Sequence, residues 1–355
     1  MAIDIGIDLG TANVLIHLKG RGIVLNEPSV VAIDTNSSEI IAYGRPAYDM
    51  LGRTPEGIEV IYPLKGGVIA DFDMTEKLLQ HMIERVYRPK WFVRANILIG
   101  APSNVSEVER EALIEAVERV TRGRIYIEEE AKVSGVGSGI DLDDPAASMV
   151  IDIGGGTSDI AIISQGEVIH SSSLKLAGDD FDQLIIQYLQ DEHLLLVGQR
   201  SAENLKKAVA TALPLPKESL TFAEVSGRNL QDGLPKALNI HSNQIFAALR
   251  QAFIEIAREA QKVLEEAEPE MIADIIEKGI TLTGGGAMIP NFDRFLSNYL
   301  KVSVILAEQP MNTVVLGTGL MIDWIQTGRL AGAQLTFGQR VKKRLLKWRR
   351  RVIGY

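Results

Sequence analysis

A repeated unit of strand, glycine turn and strand constrains this chain more than any other feature. IDIGIDLG, NVLIHLKGRG and IVLNEPSVVAI open the sequence, and SMVIDIGGG, TSDIAIISQG and EVIHSSSL return later in the same order. Each copy closes its first strand with an aspartate, Asp8 and Asp152, spaced 144 residues apart. Apolar runs punctuated by glycine turns read as strands. Two such copies predict an internally duplicated α/β protein, and 355 residues suit two compact units.

Between the copies, residues 74–86 and 107–121 have helical periodicity and flank an apolar strand at 96–100. Ser106 or Asn104 is positioned to cap the second helix. After the second copy, helices are expected at 180–192, 202–212 and 242–266, with a strand-rich patch at 219–240 and a short strand at 279–283. That strand runs into Gly284-Gly285-Gly286, and the residues beyond about Leu330 read as an appendage.

Several classes of function are excluded. With no cysteine, there is no disulfide scaffold, thiolate metal site or cysteine nucleophile. The five histidines are scattered, which argues against a histidine metal site. The opening MAIDIGIDLG carries acids where a secretory signal needs bases, and no charge-free apolar run reaches about 18 residues. A cytoplasmic chain is therefore expected. Nine Lys or Arg follow Asp323 with no further acid; of 37 basic and 46 acidic residues, 28 and 46 remain in the body. So acidic a body repels nucleic acid, and any attraction to an anionic surface must come from the tail.

Glycine turns between strands let backbone N–H groups approach phosphate oxygens, because no Cβ blocks the way. Gly10-Thr11-Ala12-Asn13 and Gly154-Gly155-Gly156-Thr157 are two such turns, and each threonine adds a hydroxyl. Asp8 and Asp152 would then face one cleft as a magnesium pair, since Mg2+ takes one or two carboxylates plus substrate phosphates. Neither G-x-x-x-x-G-K-[ST] nor G-x-G-x-x-G occurs.

The paired turns, the duplicated halves and a later TGGGA loop resemble the superfamily of actin, sugar kinases and heat-shock ATPases. IGIDLGTANVLIHLKGRGIVLNEPSVVAI, PLKGGVIADF, VIDIGGGTSDIAIIS, GDDFD, GLPKAL and GITLTGGGAMIPN are similar to the MreB family of bacterial actins. IEEEAKVSGVGSG and the TANVLIH turn are closer to its Mbl branch. The resemblance spans roughly residues 3–322. It implies an actin-like ATPase fold: two duplicated α/β domains around a nucleotide cleft that takes ATP and Mg2+. The implied domains are 1–145, with a small subdomain at about 32–65, and 146–330, with one at about 180–245; 331–355 is a basic amphipathic tail.

By the same resemblance, Thr11, Ala12 and Asn13 form one phosphate turn, and Gly155, Gly156 and Thr157 the other. Glu203, Asn204, Leu205 and Lys206 match the segment that touches ribose and base; Glu203 and Lys206 share a helical face. Gly284, Gly285, Gly286 and Ala287 match the adenine-side loop. Glu130 matches the glutamate that orients the attacking water, a role that positioning and charge neutralisation suffice to fill. The family usually has proline after this glutamate, where this chain has Ala131, and the run Glu128-Glu129-Glu130 keeps Glu129 open as the alternative.

Two segments read as membrane contacts. YRPKWFVR sets Trp91 and Phe92 between basic residues, and the corresponding loop of MreB relatives inserts in membrane. In the tail, Phe337, Val341, Leu345, Trp348 and Val352 share a helical sector of about 80°, with lysines and arginines elsewhere. The other readings are a disordered solubilising tail or a nucleic-acid or partner-binding arm for the tail, and rings folded under the loop as core for Trp91 and Phe92. The implied protein is an ATP-dependent filament former at the inner face of the cell membrane. Its subunits stack head to tail in antiparallel pairs that scaffold lateral cell-wall synthesis and rod shape together with the wall-elongation machinery. Nucleic acid is not an expected partner. The alternative is a small-molecule kinase on the same ATPase core, although no motif supplies its acceptor base.

Overall fold

The structure is a computed structural model that describes residues 3–87, 95–103, 105–121 and 124–327. Strict alternation builds its first sheet. Ile5, Ile7, Val14 and Ile16 turn to one face and are fully buried. β1 (Ile3–Leu9), β2 (Asn13–Leu18) and β3 (Gly22–Pro28) form an antiparallel meander; β4 (Ala95–Ala101) adds parallel to β1, and β5 (Arg124–Glu129) parallel to β4. β4 lies between parallel neighbours, and its Ile97-Leu98-Ile99 run is buried on both faces.

The second sheet repeats this plan. β6 (Ser148–Ile153), β7 (Ser158–Ser164) and β8 (Glu167–Leu174) form the meander, with β9 (Ile280–Thr283) and β10 (Val304–Leu306) added in parallel. The strand orders β5-β4-β1-β2-β3 and β10-β9-β6-β7-β8 are the same, so the duplication is one of topology as well as of motif.

Helices at Phe72–Val86, Glu107–Val120, Gly178–His193 and Ser242–Glu265 sit where periodicity predicts them. Ser106 is the cap of the second: its Oγ accepts from the Glu109 N–H, and the Glu109 carboxylate accepts from the Ser106 N–H.

The run IVLNEPSVVAI, read as one stretch, divides after Pro28. Proline has no N–H to continue the ladder. Ser29 is buried and ties back to the first glycine turn, donating its N–H to Ala12 O (2.9 Å) and its hydroxyl to Gly10 O (2.6 Å). Val31–Asp34 then becomes the centre of a small sheet between Ile40–Tyr43 and Ile58–Ile61, covered by α1 (Arg45–Met50). α2 (Glu130–Gly137) follows β5 directly. The second half carries a matching small unit, the hairpin Phe222–Asn229/Pro235–His241 packed against α3 (Gln199–Val209).

α4 (Thr313–Thr327) follows the second sheet in sequence yet packs on β1, β2 and β4 of the first and crosses α2. The crossing is made by glycines. A Cβ on Gly137 would strike the Thr313 carbonyl, and one on Gly317 the Val133 carbonyl. Backbone cannot yield as a side-chain tip can. Gly317→Ala should therefore cost roughly 1–3 kcal/mol, as overpacking does, and lower the melting temperature. Gly198→Ala, where nothing lies within 4 Å of the added carbon, is the near-neutral control.

Candidate functional site

The two glycine turns meet face to face between the sheets. A Cβ on Gly155 would lie 2.9 Å from Ala12 Cβ, and one on Gly156 would lie 2.5 Å from Thr11 Oγ1 and 2.9 Å from Gly66 N. Side chains at these two positions are thus excluded by the opposite turn. Gly154 N–H donates to Thr157 O (2.8 Å), closing the second turn. The carbonyls of Gly154 and Gly155 accept from Gly178 (3.2 Å) and Asp179 (2.8 Å) at the start of the helix Gly178–His193. The Thr11 hydroxyl accepts from Gly67 N–H at 3.1 Å.

A cavity of about 100 Å³ lies between the turns, lined by Thr11, Ala12, Asn13, Gly155, Gly156 and Thr157. Asp8, Asp152, Glu130, Gly284 and Gly285 complete its wall. Register explains the aspartates: Asp8 pairs with Gly100 near the end of β4, and Asp152 with Thr283 at the end of β9, so both point from strand ends into the gap. Glu130, the first residue of α2, lines this cavity, whereas Glu129 ends β5.

Burial raises the carboxyls of Asp8, Asp152 and Glu130, and of Asp159 beside Asp152, above the usual carboxylate range. Burial pushes Asp8 up to about 7. Burial, then the charge of Asp159, pushes Asp152 up to about 8. Glu130 is raised well above the usual carboxylate range by burial, then by Asp159, Asp152 and Asp8. Asp159, cross-strand partner of Asp152, is itself pushed up to about 6 by burial. Asp152 Oδ2 is buried without a hydrogen-bond partner. Among the described residues, no group of three or more His, Cys, Asp or Glu could hold a metal ion by itself. A cation here would need oxygens from a ligand.

The other expected residues lie farther out. Glu203 faces the cleft mouth, beside Lys207, in a second cavity of about 200 Å³ that shares Ala12, Asn13 and Met311 with the first. Lys206 instead donates to Gly178 O (2.6 Å) and pairs with the buried Asp182 (2.8 Å), beneath the second turn. Leu205 is in the core and Asn204 is exposed. Gly284 has φ +89°, and a Cβ there would strike the Ile153 carbonyl and the Asp152 carboxylate; Ala287 is buried behind the loop. Asp159, Lys207 and Met311 were not singled out from sequence. The TSD that closes the second turn could have pointed to Asp159, but nothing local marks the other two. Trp91, Phe92, Phe337, Val341, Leu345, Trp348 and Val352 lie outside the described residues. Among the described residues, no helix is long and apolar enough to cross a membrane.

Two halves of one topology, facing each other across paired glycine turns and paired aspartates, define an actin-like fold. The chain belongs to the MreB/Mbl family: the model described as MreB/Mbl protein matches residues 2–329. It is 48% identical over 320 residues to the cell shape-determining protein Mbl of Bacillus subtilis (strain 168), covering 90% of this chain and 96% of that one. It is 41% identical over 328 residues to the cell shape-determining protein MreB of Escherichia coli (strain K12), with 91% and 94% covered. MreB5 of Spiroplasma citri bound to ADP is a solved structure with 38% identity and a TM-score of 0.88, covering 94% of this chain and 99% of that one. The same protein bound to AMPPNP also has a TM-score of 0.88. These relatives do not favour the small-molecule kinase alternative.

Proposed function

We propose that this chain is a cell-shape protein that binds ATP with magnesium between its two halves and assembles head to tail into paired filaments on the inner face of the cell membrane. One observation carries the reading: two turns, packed so closely that Gly155 and Gly156 admit no side chain, meet over an acid cluster in which a buried carboxylate oxygen has no partner. That cluster fits a magnesium nucleotide, because a divalent cation would offset the carboxylate repulsion and phosphate oxygens would complete its coordination. The solved MreB5 structures, which carry ADP or AMPPNP, support the same ligand class.

Asp8 and Asp152 would hold the cation. The N–H groups and hydroxyls of Thr11, Ala12, Asn13, Gly155, Gly156 and Thr157 would bind phosphate oxygens. Glu203 is suited to a ribose hydroxyl, with Leu205 anchoring its helix in the core, the exposed Asn204 beside it, and Lys206 bracing the second turn through Gly178. Gly284, Gly285, Gly286 and Ala287 leave room for a flat base. A bound magnesium nucleotide supplies the phosphoanhydride and the charge neutralisation that phosphoryl transfer needs. Glu130 would orient a water and accept its proton, giving slow hydrolysis. Trp91-Phe92 and the stripe Phe337, Val341, Leu345, Trp348 and Val352 are the proposed membrane contacts, with wall-elongation proteins as further partners.

Electron microscopy of the full chain on an anionic lipid monolayer tests this reading. Paired filaments are expected with magnesium-ATP and not without nucleotide. Protein that coats the lipid but never forms filaments would overturn the cytoskeletal role.

A further inference from the structure

Outside the phosphate turns, the mouth of the cleft is crossed by contacts between the two halves. Tyr48 on α1 donates its hydroxyl to Glu203 Oε2 on α3. Beside it, Arg200 Nη2 of α3 faces Asp49 Oδ1 at 3.4 Å. The Arg200 guanidinium also lies 5.4 Å from the Tyr48 ring centroid, and Arg45 lies 5.5 Å from it, so two cations approach the ring. Arg45, Tyr48, Arg200 and Glu203 line the cavity of about 200 Å³ that continues from the phosphate turns. α1 and α3 belong to opposite halves, so these contacts exist only while the halves are close.

Glu203 sits at the centre of this arrangement. Its other oxygen accepts from Lys207 Nζ at 2.6 Å. A carboxylate has about four acceptor positions, so capacity for a ligand hydroxyl remains. The residue best placed for the ribose is thus aimed by a tyrosine from the opposite half. We propose that Tyr48 is a positioning residue that sets Glu203 for the ribose and, with the Asp49–Arg200 pair, latches the cleft mouth so that bound nucleotide leaves only when the latch opens. The inference rests on the nucleotide reading above and adds to it control of release: entry uses the open form, whereas escape must first break the cross-cleft contacts.

The test uses the full chain loaded with radiolabelled ADP and magnesium, then chased with excess unlabelled ADP; a label on the ribose would disturb Glu203. Tyr48→Phe should release ADP about fivefold faster, the scale of one hydrogen bond's net contribution, with association changed less than about twofold. Asp49→Arg and Arg200→Asp should each speed release, and the double exchange should recover about half or more of the lost retention. A fold defect would not be repaired by swapping charges. Unchanged release in Tyr48→Phe, or a double exchange as fast as its parents, overturns the latch while leaving the nucleotide site intact. If the unaltered chain captures no labelled ADP, the nucleotide reading fails and the latch with it.

Discussion

Asp152→Asn is expected to weaken magnesium-nucleotide binding about a hundredfold (about 2.7 kcal/mol) while making the ligand-free protein more stable at neutral pH. The first effect follows from removing a charged cation ligand. The second follows from the sign of its titration. Asp152 is raised from 3.8 to about 8 by burial and by Asp159. Between those values the unfolded chain has released this proton and the folded chain retains it. Stability therefore falls as pH rises across the window, because the unfolded state binds fewer protons. Asparagine removes that penalty. Calorimetry across about pH 5–8 should show the parent's melting temperature falling more steeply with pH than the variant's, with the gap largest near pH 8. Titration calorimetry with magnesium-ADP checks the other arm. A variant that loses both binding and stability would mean that Asp152 serves the fold alone.

Glu130→Gln should separate assembly from turnover. The amide keeps the volume and hydrogen-bonding reach of the side chain but cannot accept the proton of an attacking water. ATP binding and filament formation should persist, while phosphate release slows about a hundredfold, the lower range for loss of a positioned base. Glu129→Gln is the paired measurement, since that residue ends β5 rather than lining the phosphate cavity. Normal phosphate release in Glu130→Gln would move the role to Glu129 or to another carboxylate of the cluster.

Much of this fold was legible from local pattern. The alternation of Ile5, Ile7, Val14 and Ile16, the glycines that end each strand and the 144-residue repeat each carry a period or a punctuation mark that physics reads directly. The helix α2 was not anticipated, because Val133-Ser134-Gly135-Val136-Gly137 holds two glycines and no amphipathic stripe. Its helical state comes from tight packing against α4, a long-range contact invisible in a window of ten residues. Similarly, i and i+3 spacing paired Glu203 with Lys206, but the buried Asp182 draws that lysine inward and leaves Lys207 at the mouth. Tyr48 meets Glu203 across 155 residues, a separation that no periodicity encodes.

The return of α4 to the first sheet means that the molecule, though doubled in its plan, is not divisible in its assembly. The chain crosses from one half to the other after α2 and crosses back just before α4, so the halves are sewn together by two seams rather than hung on one tether. Two seams side by side restrict the relative motion of the halves more than a single tether would. They also decide how the gene product can be cut. A fragment that stops before Thr313 would leave the face of β1 at Gly6, on which Thr318 rests, bare to water, and so would lack part of the interior of its own half.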